Sequence, residues 1–257
     1  MKKEKLHLFI FIDSYGFELI KKYGPLLEQV KDYKPLKMQF GYSATAIPTI
    51  LTGRYPEEHG QFTFFHIAKD GESFFKFFDS FWFKMIPGFI SKRRRFRVLL
   101  NKIFKNFFKI KGYFDLYAVP FENLKFFDYS EKNDLFDQNA FPNVQNLKDI
   151  LVKKKISHFI SDWRKSEDEN FKALVDEISE NQPEFIFAYF AGLDGTQHNF
   201  TKDGKETKAH LEYYRQKVSD LLNYANSFYE KIEFSIFSDH GMTTLKEEVD
   251  IRPIFKQ

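Results

Sequence analysis

The chain of 257 residues is long enough for one large domain with a sizeable core, which excludes a disulfide-stapled mini-protein. It contains no cysteine, so thiol nucleophiles, thiolate metal sites and disulfides are excluded as well. The 39 Lys and Arg nearly balance 36 Asp and Glu, but residues 74 to 111 hold eleven basic side chains against the single acid Asp79, leaving 28 basic against 35 acidic elsewhere; no nucleic-acid partner is expected of so acidic a remainder.

Leu6 to Ile12 runs apolar without alternation, as a strand covered on both faces does, and Asp13 closes it. The run is far short of the ~20 residues of a membrane span, and no small-residue cleavage site follows it, so the expectation is a cytoplasmic protein opening on a strand. Ser43 to Thr52 reads as a helix stopped by Gly53, and a short strand is expected over Phe62 to Ala68. From Val144 the pattern becomes regular: a helix to about Lys154, strand Ile156 to Ile160, helix Glu167 to Glu180, strand Glu184 to Phe190, helix Thr207 to Glu230 and strand Phe234 to Phe237. Strand and helix alternate, so the fold class is α/β, with a mostly parallel sheet, helices on both faces, and ligands beyond the carboxyl ends of the strands. We expect a single domain over residues 1–257 with residues 74–111 as an insertion or lid within it.

Three carboxylates fall where such a sheet builds a site: Asp13 after the first strand, Asp194 after the strand ending at Phe190, and Asp239 after the last. Asp194 and His198 are four apart and share a face if that segment is helical; Asp239 and His240 are adjacent, which suits a shared ion only at a strand-ending turn. Singly, each is an ordinary helix cap or surface histidine. Together, carboxylates with imidazoles form the donor set that Zn²⁺ or Mn²⁺ takes where no thiolate is available. Ser43, at a helix start, lies in the positive field of backbone N–H groups, where a phosphate is also welcome; an ordinary N-cap is its structural alternative.

The run Thr52-Gly53-Arg54-Tyr55-Pro56-x-x-His59-Gly60, with Ser238-Asp239-His240-Gly241-Met242, Asp194-x-x-x-His198 and the opening Ile12-Asp13-Ser14-Tyr15-Gly16-Phe17, resembles the alkaline phosphatase superfamily in its nucleotide pyrophosphatase/phosphodiesterase branch. The motifs span residues 13 to 242 in the family's order. In that branch the nucleophile stands nine positions before the Thr of the Thr-Gly pair, which implies Ser43, with Thr45 as the fallback. The resemblance implies two divalent ions, zinc or manganese: Asp13, Ser43, Asp239 and His240 on one, Asp194 and His198 with a further histidine on the other. The family supplies that histidine from beyond the Ser-Asp-His-Gly motif, and none follows His240 here, so a chain lacking the family's C-terminal part is expected. His59 belongs to a motif that is structural in the family. The implied activity is hydrolysis of a phosphodiester or pyrophosphate bond through a phospho-seryl intermediate; the alternatives are an inactive member serving as a peripheral membrane or partner-binding module, and a phosphotransferase to an alcohol. The sulfatase pattern Cys/Ser-x-Pro-x-Arg is not met at Ser43-Ala44-Thr45-Ala46-Ile47.

Residues 74 to 111 also contain eleven Phe and Trp82. From Lys92 the spacing predicts a helix in which Phe96, Leu100, Phe104 and Phe108 share one side while Lys102, Lys105 and Lys109 take another. Such a segment fits either an anionic membrane surface at the inner face of a membrane or a lid packing its apolar stripe inward. A lid of this composition would suit a small-molecule or lipid-linked phosphodiester.

Overall fold

The computed structural model describes residues 2–250 except 31, 70–72, 117–118, 246 and 248, and of Trp82 and Lys84 the backbone alone. The Trp82 ring, expected among the interfacial aromatics, therefore lies outside the described residues. In chain order the elements are β1 (Lys3–Ile12), α1 (Phe17–Tyr23), α2 (Ser43–Thr52), α3 (Pro56–His59), β2 (Phe65–Ile67), α4 (Phe81–Lys84), α5 (Gly88–Ser91) and α6 (Arg94–Phe107). There follow α7 (Phe121–Leu124), β3 (Phe127–Tyr129), α8 (Leu147–Lys153), β4 (His158–Ile160), α9 (Glu167–Glu180), β5 (Phe185–Phe190), α10 (Gly192–Phe200), α11 (Lys205–Ala225) and β6 (Tyr229–Phe237). The chain divides into two compact units, residues 1–38 with 157–257, and residues 39–156, the second containing the 74–111 segment.

The first unit is the α/β unit. Its four-stranded sheet has the order β4-β5-β1-β6 with every pairing parallel, and it is flanked by helices. Leu6, Leu8, Ile10 and Ile12, every second residue of β1, are fully buried against Leu174 and Ile178 of α9 and Leu211, Val218 and Leu221 of α11. Each such side chain contributes roughly 1.5–3 kcal/mol of burial. The alternate face is aromatic: Phe9 stacks on Phe185 and Phe11 on Phe237, both at 5.2 Å. A capping box holds the start of α9, with Ser166 Oγ accepting from the Glu169 N–H and the Glu169 carboxylate accepting from the Ser166 N–H at 2.8 Å. Register places Ile12 opposite Phe190 and Phe11 opposite Phe237, so the carboxyl ends of β5, β1 and β6 lie side by side. The expected strand from Ile156 begins at His158, and the larger departure is that α11 stops at Ala225 and β6 begins at Tyr229, where helix to Glu230 and strand from Phe234 were expected. Tyr229 is buried and pairs with Lys3, so ladder bonds to β1 override the helical period.

The second unit has its own aromatic core, in which Phe75, Phe78, Leu100, Phe104, Phe121 and Tyr129 are buried. The expected strand shortens to β2, which pairs antiparallel with β3. In α6, Leu100 and Phe104 are buried and Phe96 and Phe108 pack against the same core, as the four-residue spacing predicts. Arg97 is the unexpected member of that face. It is buried, donates from Nε to Ser91 O and from Nη1 to Val119 O at 2.6 Å each, and lies 4.0 Å from the Phe121 ring centroid.

Candidate metal centre

Asp13 follows the last residue of β1, Asp239 stands two residues beyond β6, and Asp194 lies in the first turn of α10, which starts just after β5. Because these three strands are neighbours and end level, their following residues converge. Ligand atoms of Asp13, Asp239 and His240 all lie within 4.8 Å of one another. His240 Nε2 is 3.2 Å from Asp13 Oδ1, 3.5 Å from Asp239 Oδ2 and 4.0 Å from Asp194 Oδ1. The helical segment expected after Leu193 forms, and it brings His198 Nε2 to 3.4 Å from Asp194 Oδ2. Asp194 thus links the cluster to His198, whose side chain is two-thirds exposed.

The backbone around these groups is tightly specified. Ser14 adopts the left-handed region at φ 64°, a conformation costing a non-glycine residue about 1 kcal/mol, and its N–H donates to Asp239 Oδ1 at 3.3 Å. Gly16 and Gly241 cross at van der Waals contact, since a Cβ on Gly16 would stand 2.4 Å from Gly241 Cα. His240 is oriented through Nδ1, 3.1 Å from the Gly241 carbonyl, which leaves Nε2 toward the carboxylates.

Burial opposes charge on His240, but its hydrogen bond to Asp13 and the charges of Asp239 and Asp13 outweigh burial and push the imidazole up to about 9. Burial, then the Asp13 charge, raise the Asp194 carboxyl above its ordinary range against the pull of His198 and His240. Three carboxylates surround a single imidazole, and Asp194 Oδ1 is buried with no hydrogen-bond partner. An oxygen-rich set with one fixed imidazole and excess negative charge fits a divalent cation.

Ser43 belongs to the second unit, where it is the first residue of α2 and half-buried. Thr45 is fully buried, and its hydroxyl donates to Phe62 O at 2.6 Å. Gly53 caps α2 at φ 64° and donates to Thr49 O, a position that favours glycine and accounts for the Thr-Gly pair. His59 is buried, with Nδ1 accepting from the Gln61 N–H and Nε2 3.1 Å from Thr49 Oγ1. Its environment is that of a structural histidine.

The family model for type I phosphodiesterase/nucleotide pyrophosphatase matches residues 8–257. The chain belongs to this family. No curated protein sequence matches it. Among solved structures it is similar in fold to an inactive form of murine ectonucleotide pyrophosphatase/phosphodiesterase 5 in complex with AMP, at 13% identity and a TM-score of 0.51, covering 94% of this chain and 58% of that one. The chain therefore spans little more than half the length of this relative.

Several side chains of this family member shape the centre without having been legible in its motifs. Tyr189, at the penultimate position of β5, donates its hydroxyl to Asp13 Oδ2 at 2.6 Å, and burial followed by the Asp13 charge holds its phenol well above the ordinary range. Gln197 is buried in α10 and donates to Ser14 O at 2.8 Å and Ser14 Oγ at 3.0 Å. Glu167 accepts from the Gly192 N–H at the start of α10, from Tyr214 OH, and from His210 Nε2 at 2.8 Å; His210 Nδ1 in turn lies 2.8 Å from Thr196 Oγ1. Gln197 sits beside His198, a weak signal. Tyr189, Glu167 and His210 carried none, since their partners lie between 14 and 176 residues away.

Proposed function

We propose that the chain is a metal-dependent hydrolase of phosphodiester or pyrophosphate bonds with Ser43 as its nucleophile. Asp13, Ser43, Asp239 and His240 are assigned to one divalent ion, and Asp194 and His198 to a second; zinc is the first choice for this donor set and manganese the other. The observation that carries this reading is the convergence of Asp13, Asp239 and His240 beside Asp194 at the carboxyl ends of neighbouring parallel strands, in a chain of this family. When bound, the ions supply Lewis-acid charge that favours an ionised hydroxyl and steadies the phosphate oxygens of an in-line displacement.

In this reading Ser43 Oγ forms a bond to phosphorus as the bond to the leaving group breaks, the hydroxyl proton ending on the departing oxygen, giving a phospho-seryl ester. Water then takes the phosphoryl group and Ser43 regains its proton. The first-turn N–H groups of α2 favour the phosphate beside Ser43. Tyr189 occupies Asp13 Oδ2 and so turns Oδ1 toward His240. The substrate class is a small-molecule phosphodiester; the AMP held by the murine relative supports testing a nucleoside phosphodiester first and a lipid-linked one next.

The test is metal analysis of the purified chain with turnover of a chromogenic phosphodiester before and after chelation. Bound divalent metal, and activity lost in Ser43→Ala while the metal is retained, are expected. A folded chain with neither metal nor turnover overturns the reading in favour of a non-catalytic module, and transfer of phosphate to added glycerol reassigns it as a phosphotransferase.

A further inference from the structure

The second unit carries a surface that neither its own core nor the phosphodiester reading uses. Helix α6 is apolar on two sides. Its inner side, Leu100 and Phe104 with Phe96 and Phe108, packs on the aromatic core. Its outer side places Leu99, Ile103 and Phe107 at four-residue spacing, 55%, 50% and 76% exposed. A surface helix is held by one apolar stripe; a second one facing water opposes solubility unless something covers it. The short helices before it repeat the pattern, leaving Phe81, Met85 and Phe89 about two-thirds exposed.

Charge decides what covers it. Ten Lys and Arg and no Asp or Glu lie between Ser80 and Gly112. Arg97 is spent on Ser91, Val119 and Phe121 inside the unit, while Lys92, Arg93, Arg94, Arg95 and Lys102 are exposed. Arg95 and Lys102 stand four residues before and three residues after Leu99, so by the 3.6-residue period they border the outer row at its Leu99 edge. A second copy of this chain would set like charges against each other. Nucleic acid would meet the basic residues but leave Leu99, Ile103 and Met85 without use, since aliphatic side chains offer bases no stacking platform.

We propose that the outer face of residues 81–107 docks on an anionic phospholipid surface, with Phe81, Met85, Phe89, Leu99, Ile103 and Phe107 entering the headgroup–acyl boundary and the basic side chains reaching lipid phosphates and carboxylates. No helix among the described residues is long and apolar enough to cross a membrane, so the contact is interfacial. Long basic side chains suit that depth because their stems lie along apolar surface while their heads stay at the headgroups. The inference is independent of what the chain hydrolyses.

The experiment is co-sedimentation of the full chain with vesicles of phosphatidylcholine alone or mixed with phosphatidylserine. Binding to the mixed vesicles only, weakened by salt, is expected. The variant Lys92→Gln/Arg93→Gln/Arg94→Gln/Arg95→Gln should lose roughly fivefold in partitioning per charge removed. Leu99→Ser/Ile103→Ser/Phe107→Ser should lose binding while the chain stays folded with only a small drop in its urea midpoint, because half or more of each side chain already faces water. A chain that stays in the supernatant with anionic vesicles overturns the proposal. So does a serine variant that pellets like the parent, binding to single-stranded oligonucleotide with vesicles ignored, or a solution dimer that the serine variant dissociates.

Discussion

Replacing Glu167 by alanine tests whether α10 is positioned from outside the cluster of Asp13, Asp239 and His240. The carboxylate accepts three donors, the Gly192 N–H at 3.1 Å, His210 Nε2 at 2.8 Å and the hydroxyl of the fully buried Tyr214. Leaving one buried donor without its acceptor costs about 1–3 kcal/mol. The Glu167 side chain is about one-fifth exposed, so water reaches part of the gap, and the expected total is ~4 kcal/mol rather than the full threefold sum. Glu167→Gln keeps one oxygen for Gly192 and Tyr214 and offers an N–H₂ to His210, so its loss is expected near 1 kcal/mol. The functional consequence follows from the chain path. Gly192 and Thr196, the two residues tied to Glu167 and His210, flank Asp194, and His198 is two residues on. Loosening them weakens divalent-metal affinity by roughly ten- to a hundredfold, the scale of second-layer changes at metal sites. Urea unfolding followed by circular dichroism gives the stability difference, and zinc titration of the folded variants gives the affinity. A loss below about 1 kcal/mol in Glu167→Ala, or unaltered metal affinity in that folded variant, refutes the reasoning.

Gly16 has φ −67° and ψ 156°, which alanine adopts freely, so Gly16→Ala isolates the contact with Gly241; it is expected to destabilise by about 2 kcal/mol and to weaken zinc binding, and a neutral result in both assays contradicts the packing argument. Glu131 is buried, and burial, then the nearby Asp134 charge, push its carboxyl from 4.5 up to about 8. The folded chain keeps a proton that the unfolded chain releases above pH 4.5, so this group's contribution falls as pH rises through the window from 4.5 to 8, by about 3 kcal/mol between pH 5 and 7.5. Urea midpoints of Glu131→Gln should lack that slope, and profiles parallel to the parent's would rule it out. Divalent metal at a hundred times its dissociation constant should raise stability by ~2.7 kcal/mol over the chelated chain, with Asp239→Asn abolishing the gain; equal midpoints with and without chelator would count against a metal in this cluster.

The sequence by itself determined the alternation of strand and helix from Val144 onward and the ligand-type residues at strand ends, because both are written in local periods and short spacings. Asp194 and His198 meet through one turn of helix, and Gly53 ends α2 through its own φ; neither needs a distant partner. Tertiary structure alone decided which groups complete the cluster: Tyr189 reaches Asp13 only because β5 lies in register beside β1, and Glu167 holds α10 only because α9 and α11 pack on one face of the sheet. The same division runs through α6, where the four-residue spacing fixed the inner stripe. The burial of Arg97 and the exposure of the row from Leu99 to Phe107 followed from which side met the Phe75, Phe78 and Phe121 core, because the helical period fixes which residues share a side but not which side meets a neighbour.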